Sequence, residues 1–122
     1  MNDQGDSKMR KMVKISKALA DETRIRMLKL LLDKDICACE MQEIFPLSVS
    51  QLSRNLKMLM EAGFLKRWRV GKCMIYIADR DNGNRYCRTL LDLLADSYNT
   101  TGVVLKDRKK LRQVTANKTR VC

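Results

Sequence analysis

No histidine occurs among the 122 residues. That absence excludes zinc sites built on imidazole, Ser-His and Cys-His nucleophile pairs, and the commonest general base, so the expectation is a protein that is not an enzyme. No apolar run is long enough to cross a bilayer, and the opening residues Met1 to Lys11 lack the apolar stretch of a secretory signal. The expected address is cytoplasmic, with no membrane partner. Acidic side chains are scarce: 14 Asp and Glu stand against 25 Lys and Arg, a formal charge of +11. Such an imbalance implies an anionic partner, nucleic acid first. The five cysteines are an odd count in a chain without that signal, so thiols or metal ligation are expected ahead of a disulfide framework.

A chain of this length is expected to make one domain. Residues 1–7 hold little apolar content and read as a flexible N-terminus. From Lys8, Met12, Ile15 and Leu19 recur at helical spacing among Lys11, Lys14 and Lys17, a first amphipathic helix. Asp21 is a good N-cap, with Glu22 in the first turn, for a second helix through about Leu32. Its apolar stripe is Ile25, Leu28 and Leu32 with Leu31 beside it, leaving Arg24, Arg26 and Lys29 outward. Residues 35–46 predict a short helix halted by Pro46, because the residue before a proline avoids helical dihedrals.

The next stretch, Ser48 to Leu65, organises the rest. Ser48 followed three residues later by Gln51 is a capping box, and Gly63 sits where a left-handed C-terminal cap would end the helix. Leu52, Leu56, Leu59 and Gly63 form one stripe, edged by Val49 and Met60, that must be buried. The opposite side carries Ser50, Arg54, Lys57 and Glu61, flanked by Gln51 and Ser53. Two short helices joined through Pro46 and Leu47 make a helix-turn-helix, whose second helix can enter a DNA major groove. Residues 64–70 and 73–78 flank Gly71-Lys72, a type II′ hairpin signal, and Lys66, Arg67, Arg69 and Lys72 make that hairpin a basic wing. The expected DNA contacts are Ser48, then Ser50, Gln51, Ser53 and Arg54 near bases, with Lys57, Arg67, Arg69 and Lys72 on phosphates.

Residues 84–98 return to helix. Tyr86, Leu90, Leu94 and Tyr98 lie on one line with Cys87 and Leu91 adjoining, an apolar surface wide enough for both the core and a partner subunit. Residues 101–122 hold seven basic residues against Asp107, so residues 100–122 read as a largely disordered basic tail after a domain spanning residues 8–99. The fold expected is mainly α: an α+β winged helix-turn-helix with one two-stranded β-hairpin wing, dimerising through its terminal helices.

Three strings in this order resemble the ArsR/SmtB family of winged-helix repressors. Residues 18–28 (ALADETRIRML) look like that family's opening signature, residues 50–65 (SQLSRNLKMLMEAGFL) like its recognition helix, and the hairpin with Gly71 and Tyr76 like its wing. Asn55 stands where the family usually carries histidine. The resemblance implies a homodimeric transcriptional repressor that holds double-stranded operator DNA and leaves it when an effector binds. Cys37 and Cys39 match the Cys-x-Cys of members that respond to As(III) or Sb(III), which implies these ions as effector and no organic cofactor. A third cysteine common in those members is replaced here by Gln42. The third ligand is then Cys122, Cys73, Cys87 or a small thiol. Cys73 and Cys87 otherwise read as inert core thiols, and the alternative for Cys37 and Cys39 is likewise a structural pair.

The chemistry is consistent with the resemblance, since thiolates suit soft ions and a helix N-terminus lowers a thiol pKa. Residues two apart on a helix point about 200° apart. Cys37 and Cys39 in regular helix could not share one ion, so effector capture is expected to unwind or tilt the helix start. A thiol-oxidation or persulfide switch on the same fold is the alternative function, and a thiol redox enzyme or carrier the remaining one.

Overall fold

The computed structural model describes residues 3–116, with side chains described for residues 8–116. Its helices are α1 (Asp3–Leu19), α2 (Glu22–Asp33), α3 (Ala38–Ile44), α4 (Val49–Ala62), α5 (Arg85–Ala95) and α6 (Gly102–Ala116). Strands β1 (Ile36–Cys37), β2 (Leu65–Val70) and β3 (Cys73–Ala78) form an antiparallel sheet in the order β1-β3-β2. Helices α3 and α4 are the helix-turn-helix and β2–β3 the wing.

Local chemistry sets the element ends. Asp21 caps α2 by accepting from the Arg24 amide at 3.1 Å. Ser48 and Gln51 cap α4 reciprocally: the Gln51 amide donates to Ser48 Oγ at 3.1 Å and the Ser48 amide donates to Gln51 Oε1 at 2.9 Å. Gly63 ends α4 at φ 97°, its amide donating to the Leu59 and Met60 carbonyls, and Gly71 turns the hairpin at φ 61°, the sign a primed turn requires there. Ile15, Leu28, Leu31, Ile44, Leu56, Leu59, Phe64 and Leu91 belong to one buried cluster, so every layer shares a core.

Four features depart from the expectations above. Helix α1 starts at Asp3 rather than Lys8, because a nucleated helix gains one backbone bond per added residue. The two-stranded wing gains β1, where Ile36 pairs with Tyr76 and Cys37 with Ile75; two residues are too few to display a strand period. Lys29 does not face outward: it is buried, and its Nζ donates to the Leu94 carbonyl at 2.6 Å and Asn99 Oδ1 at 2.8 Å. A cation there complements the C-terminal end of α5, while burial, reinforced by the Arg108 charge, pushes its pKa down.

The fourth departure is α6, which occupies residues read as a disordered basic tail. Val104, Asp107 and Leu111 are buried on one side of it, at helical spacing. Arg26 Nε and Nη2 donate to the two carboxylate oxygens of Asp107, each at 2.8 Å, and Arg108 Nε donates to Asp33 Oδ2 at 2.7 Å. These pairs fasten α6 to α2 across the fold. Among the described residues, no helix is long and apolar enough to cross a membrane.

Candidate functional site

Helix α4 places its apolar stripe as its spacing requires. Leu52, Leu56 and Leu59 are buried, whereas Ser48, Ser50, Gln51, Ser53, Arg54 and Lys57 are exposed. Val49, expected at the edge of the buried stripe, is exposed. Arg67, Arg69 and Lys72 are exposed on the wing. The structure brings part of this set together: Ser53, Lys57 and Arg67 border one cleft of about 510 Å³ between α4 and the wing, and Ser53, Arg69 and Lys72 border another of about 360 Å³. Ser48, Ser50, Gln51 and Arg54 line neither cleft, so they form a separate part of the exposed face. Gln51 Oε1 is engaged in the cap, which leaves its side-chain N–H groups as the portion able to reach outward. Lys57 and Glu61 approach at 3.9 Å, an exposed pair of little energetic weight.

Two positioning contacts escaped the sequence reading. Arg24 Nη1 donates to Asn55 Oδ1 at 2.9 Å, and its Nε donates to the Ala18 carbonyl at 2.7 Å, tying the recognition helix to α1 and α2. Arg67 Nη1 donates to Tyr76 Oη at 3.3 Å, bracing the wing across its two strands. The first joins residues that only the fold brings together, so no local signal announces it, whereas the second follows from the register that the Gly71-Lys72 turn sets.

The sulfur site lies where β1 meets α3. Cys37 is the N-cap of α3 with extended backbone, φ −74° and ψ 146°, and Cys39 follows inside the helix. Their sulfurs are 3.1 Å apart. Glu40 Oε1 accepts from the Cys37 amide at 2.8 Å and fixes that corner. Cys37 is fully buried, and burial pushes its pKa up; backbone N–H groups of Cys39 and Glu40 pull it down, while the Cys73 thiol adds to the rise. The helix N-terminus therefore acts in the expected direction but loses to desolvation. Cys39 is disulfide-bonded, whereas Cys37, Cys73 and Cys87 carry thiols.

The candidates for a third ligand separate cleanly. Cys37, Cys73 and Ile75 form a small buried cluster against which Cys39 packs. Cys87 belongs elsewhere: its thiol donates to the Ala62 carbonyl at 3.1 Å, beside the end of α4. Cys122 lies outside the described residues. Among the described residues, no group of three or more His, Cys, Asp or Glu side chains stands assembled to hold a metal ion. Cys39 itself borders the 360 Å³ cleft shared with Ser53, Arg69 and Lys72, so the sulfur pair adjoins the basic surface.

Residues 21–67, which contain the cap of α2, the sulfur pair and all of α4, match the model of the bacterial regulatory protein, arsR family. This segment is an arsR-family domain. The arsenic resistance transcriptional regulator ArsR1 of Pseudomonas putida is 40% identical over 63 residues, covering 51% of this chain and 49% of that one. The transcriptional repressor SmtB homolog of Synechocystis is 32% identical over 87 residues, covering 70% and 65%. The chain thus spans between half and two thirds of the length of these arsR-family relatives. Among solved structures, HlyU from Vibrio cholerae is similar with a TM-score of 0.61 and 26% identity, over 75% of this chain and 95% of that one. A homodimeric winged helix-turn-helix DNA-binding domain from Mycobacterium bovis gives a TM-score of 0.64 at 20% identity, over 77% and 83%, a likeness of fold.

Proposed function

We propose that this arsR-family chain is a homodimeric transcriptional repressor that binds operator DNA and is released when As(III) or Sb(III) is bound by the thiolates of Cys37 and Cys39. The observation that carries this reading is the 3.1 Å separation of those two sulfurs, with Cys39 bordering the cleft that Ser53, Arg69 and Lys72 also border. Soft thiolate donors select a thiophilic ion, and the chain has no histidine to favour zinc. The ligating state is the dithiol, so Cys39 acts after release from its disulfide. The P. putida relative is named for arsenic resistance and the CadC homolog of Staphylococcus aureus for cadmium resistance, names that support a soft-ion effector here.

DNA binding rests on the exposed face of α4 and the basic wing, and the protein works as a soluble cytoplasmic regulator without catalysis. The dimer contact draws on apolar side chains left exposed near the terminal helices, including Tyr86, Leu93, Tyr98 and Leu105. A dimer would then place two recognition helices on successive half-sites. Fluorescence anisotropy on the protein's own promoter DNA tests the reading, titrating arsenite, zinc, cadmium and peroxide separately. Arsenite releases the wild type, and the Cys37→Ser/Cys39→Ser variant still binds DNA but ignores arsenite. Release by peroxide alone would favour a thiol-oxidation switch, and arsenite release retained in the double variant would remove the site.

A further inference from the structure

We infer that Cys73, on the first residue of β3, is the third sulfur ligand of the effector ion, so that the site bridges the helix-turn-helix and the wing. The inference rests on the effector reading above and names the ligand that reading leaves open. Three placements support it. In the antiparallel ladder Cys37 pairs with Ile75, and Cys73 lies two residues from Ile75, so Cys37, Cys73 and Ile75 present their side chains on one face of the sheet. All three are buried together with Cys39 packed against them, and the Cys37 and Cys39 sulfurs stand 3.1 Å apart. Cys87, by contrast, is occupied with the Ala62 carbonyl at the far end of α4.

The chemistry balances without oxidation or reduction at arsenic. Two equivalents of a small-molecule thiol first reduce the disulfide of Cys39 by exchange, both cysteines leaving as thiols and the small thiols as their own disulfide. Arsenous acid then condenses with three thiols: three As–S bonds form, three As–O bonds break, and the three thiol protons leave with the three hydroxyls as water. Cys73 immediately follows the Gly71-Lys72 turn and pairs with Val70 across the hairpin. Drawing its sulfur onto the ion therefore pulls the turn end of the wing toward the start of α3, through the strand that carries Tyr76 opposite Arg67.

The test counts sulfurs by arsenic K-edge X-ray absorption on full-length protein, reduced with a phosphine and loaded with arsenite. Wild type is expected to show three sulfurs, Cys73→Ser two sulfurs and one oxygen, and Cys87→Ser three. Because Cys73 is buried, Cys122→Ser supplies a second route: three sulfurs retained in both Cys87→Ser and Cys122→Ser assign the third to Cys73 by elimination. Two sulfurs in the wild type, or a sulfur lost from Cys122→Ser, would overturn the inference while leaving the effector reading intact. Wild type that binds no arsenic overturns both.

Discussion

Replacing Asp107 with Ala tests whether α6 is an integral part of the fold. The Asp107 side chain is 2% exposed and the guanidinium it receives, on Arg26, is 24% exposed. Breaking a buried ion pair by deleting one partner costs about 3–5 kcal/mol, because the surviving charge is stranded. Arg26 retains some access to water and lies over the Phe45 ring at 5.2 Å, so part of that penalty is relieved. The expected loss is about 2–4 kcal/mol, which lowers the melting temperature by roughly 10 °C for a chain of this size. Urea unfolding followed by far-ultraviolet circular dichroism gives the free energy, and a cycle with Arg26→Ala isolates the coupling. Arg26→Met/Asp107→Leu should recover most of the stability, since an apolar pair of similar volume avoids the desolvation penalty. A change in Asp107→Ala below about 0.5 kcal/mol, the range of ordinary surface substitutions, would refute the anchoring of α6.

Three further outcomes follow from the same geometry. Gly63→Ala combines φ 97° with a Cβ placed 2.9 Å from Asn82 Nδ2; a loss of about 1–2 kcal/mol in thermal unfolding is expected, and an unchanged melting temperature contradicts it. Arg54→Ala should weaken operator binding by about 1–3 kcal/mol with no change in melting temperature; equal affinity removes Arg54 from the contact surface. Burial raises the Cys37 pKa above its ordinary 9.0, so the folded state holds that proton more tightly than the unfolded one. The stability this contributes is complete below pH 9.0 and fades as pH rises through the folded value. Urea midpoints should therefore fall more steeply above pH 9.0 in wild type than in Cys37→Ala, and parallel slopes would contradict the assignment.

The recognition helix was legible because three independent signals coincide on it: the Ser48/Gln51 box, the stripe Leu52, Leu56, Leu59, and the glycine whose φ of 97° ends it. The wing was legible for the same reason, with Gly71 between two strand-like runs. Helix α6 was not. Its apolar residues are sparse among lysines and arginines, and what holds it is an ion pair between residues 26 and 107 together with Arg108 on Asp33. Val104, Asp107 and Leu111 do keep helical spacing, but a carboxylate in the middle of the stripe disguises it until Arg26 arrives to pair with it. Lys29 was misplaced on similar grounds, since only the arrival of the α5 carbonyls makes a buried ammonium tolerable at that position.

The sulfur pair shows how one short strand alters a mechanism. In uninterrupted helix, side chains two residues apart diverge by about 200°, which would make ion capture depend on unwinding α3. Pairing of Cys37 with Ile75 holds Cys37 in extended backbone, and the two sulfurs stand 3.1 Å apart with α3 intact. The same pairing that shapes the sulfur pair also joins β1 to the wing, because β3 hydrogen-bonds to β1 on one side and β2 on the other. A shift of β1 against β3 therefore changes the sulfur geometry and the wing position together. Under the proposed function, coupling between effector and DNA then requires no helix melting: if the two ligands favour different registers of this ladder, each weakens the other's binding by the same free energy.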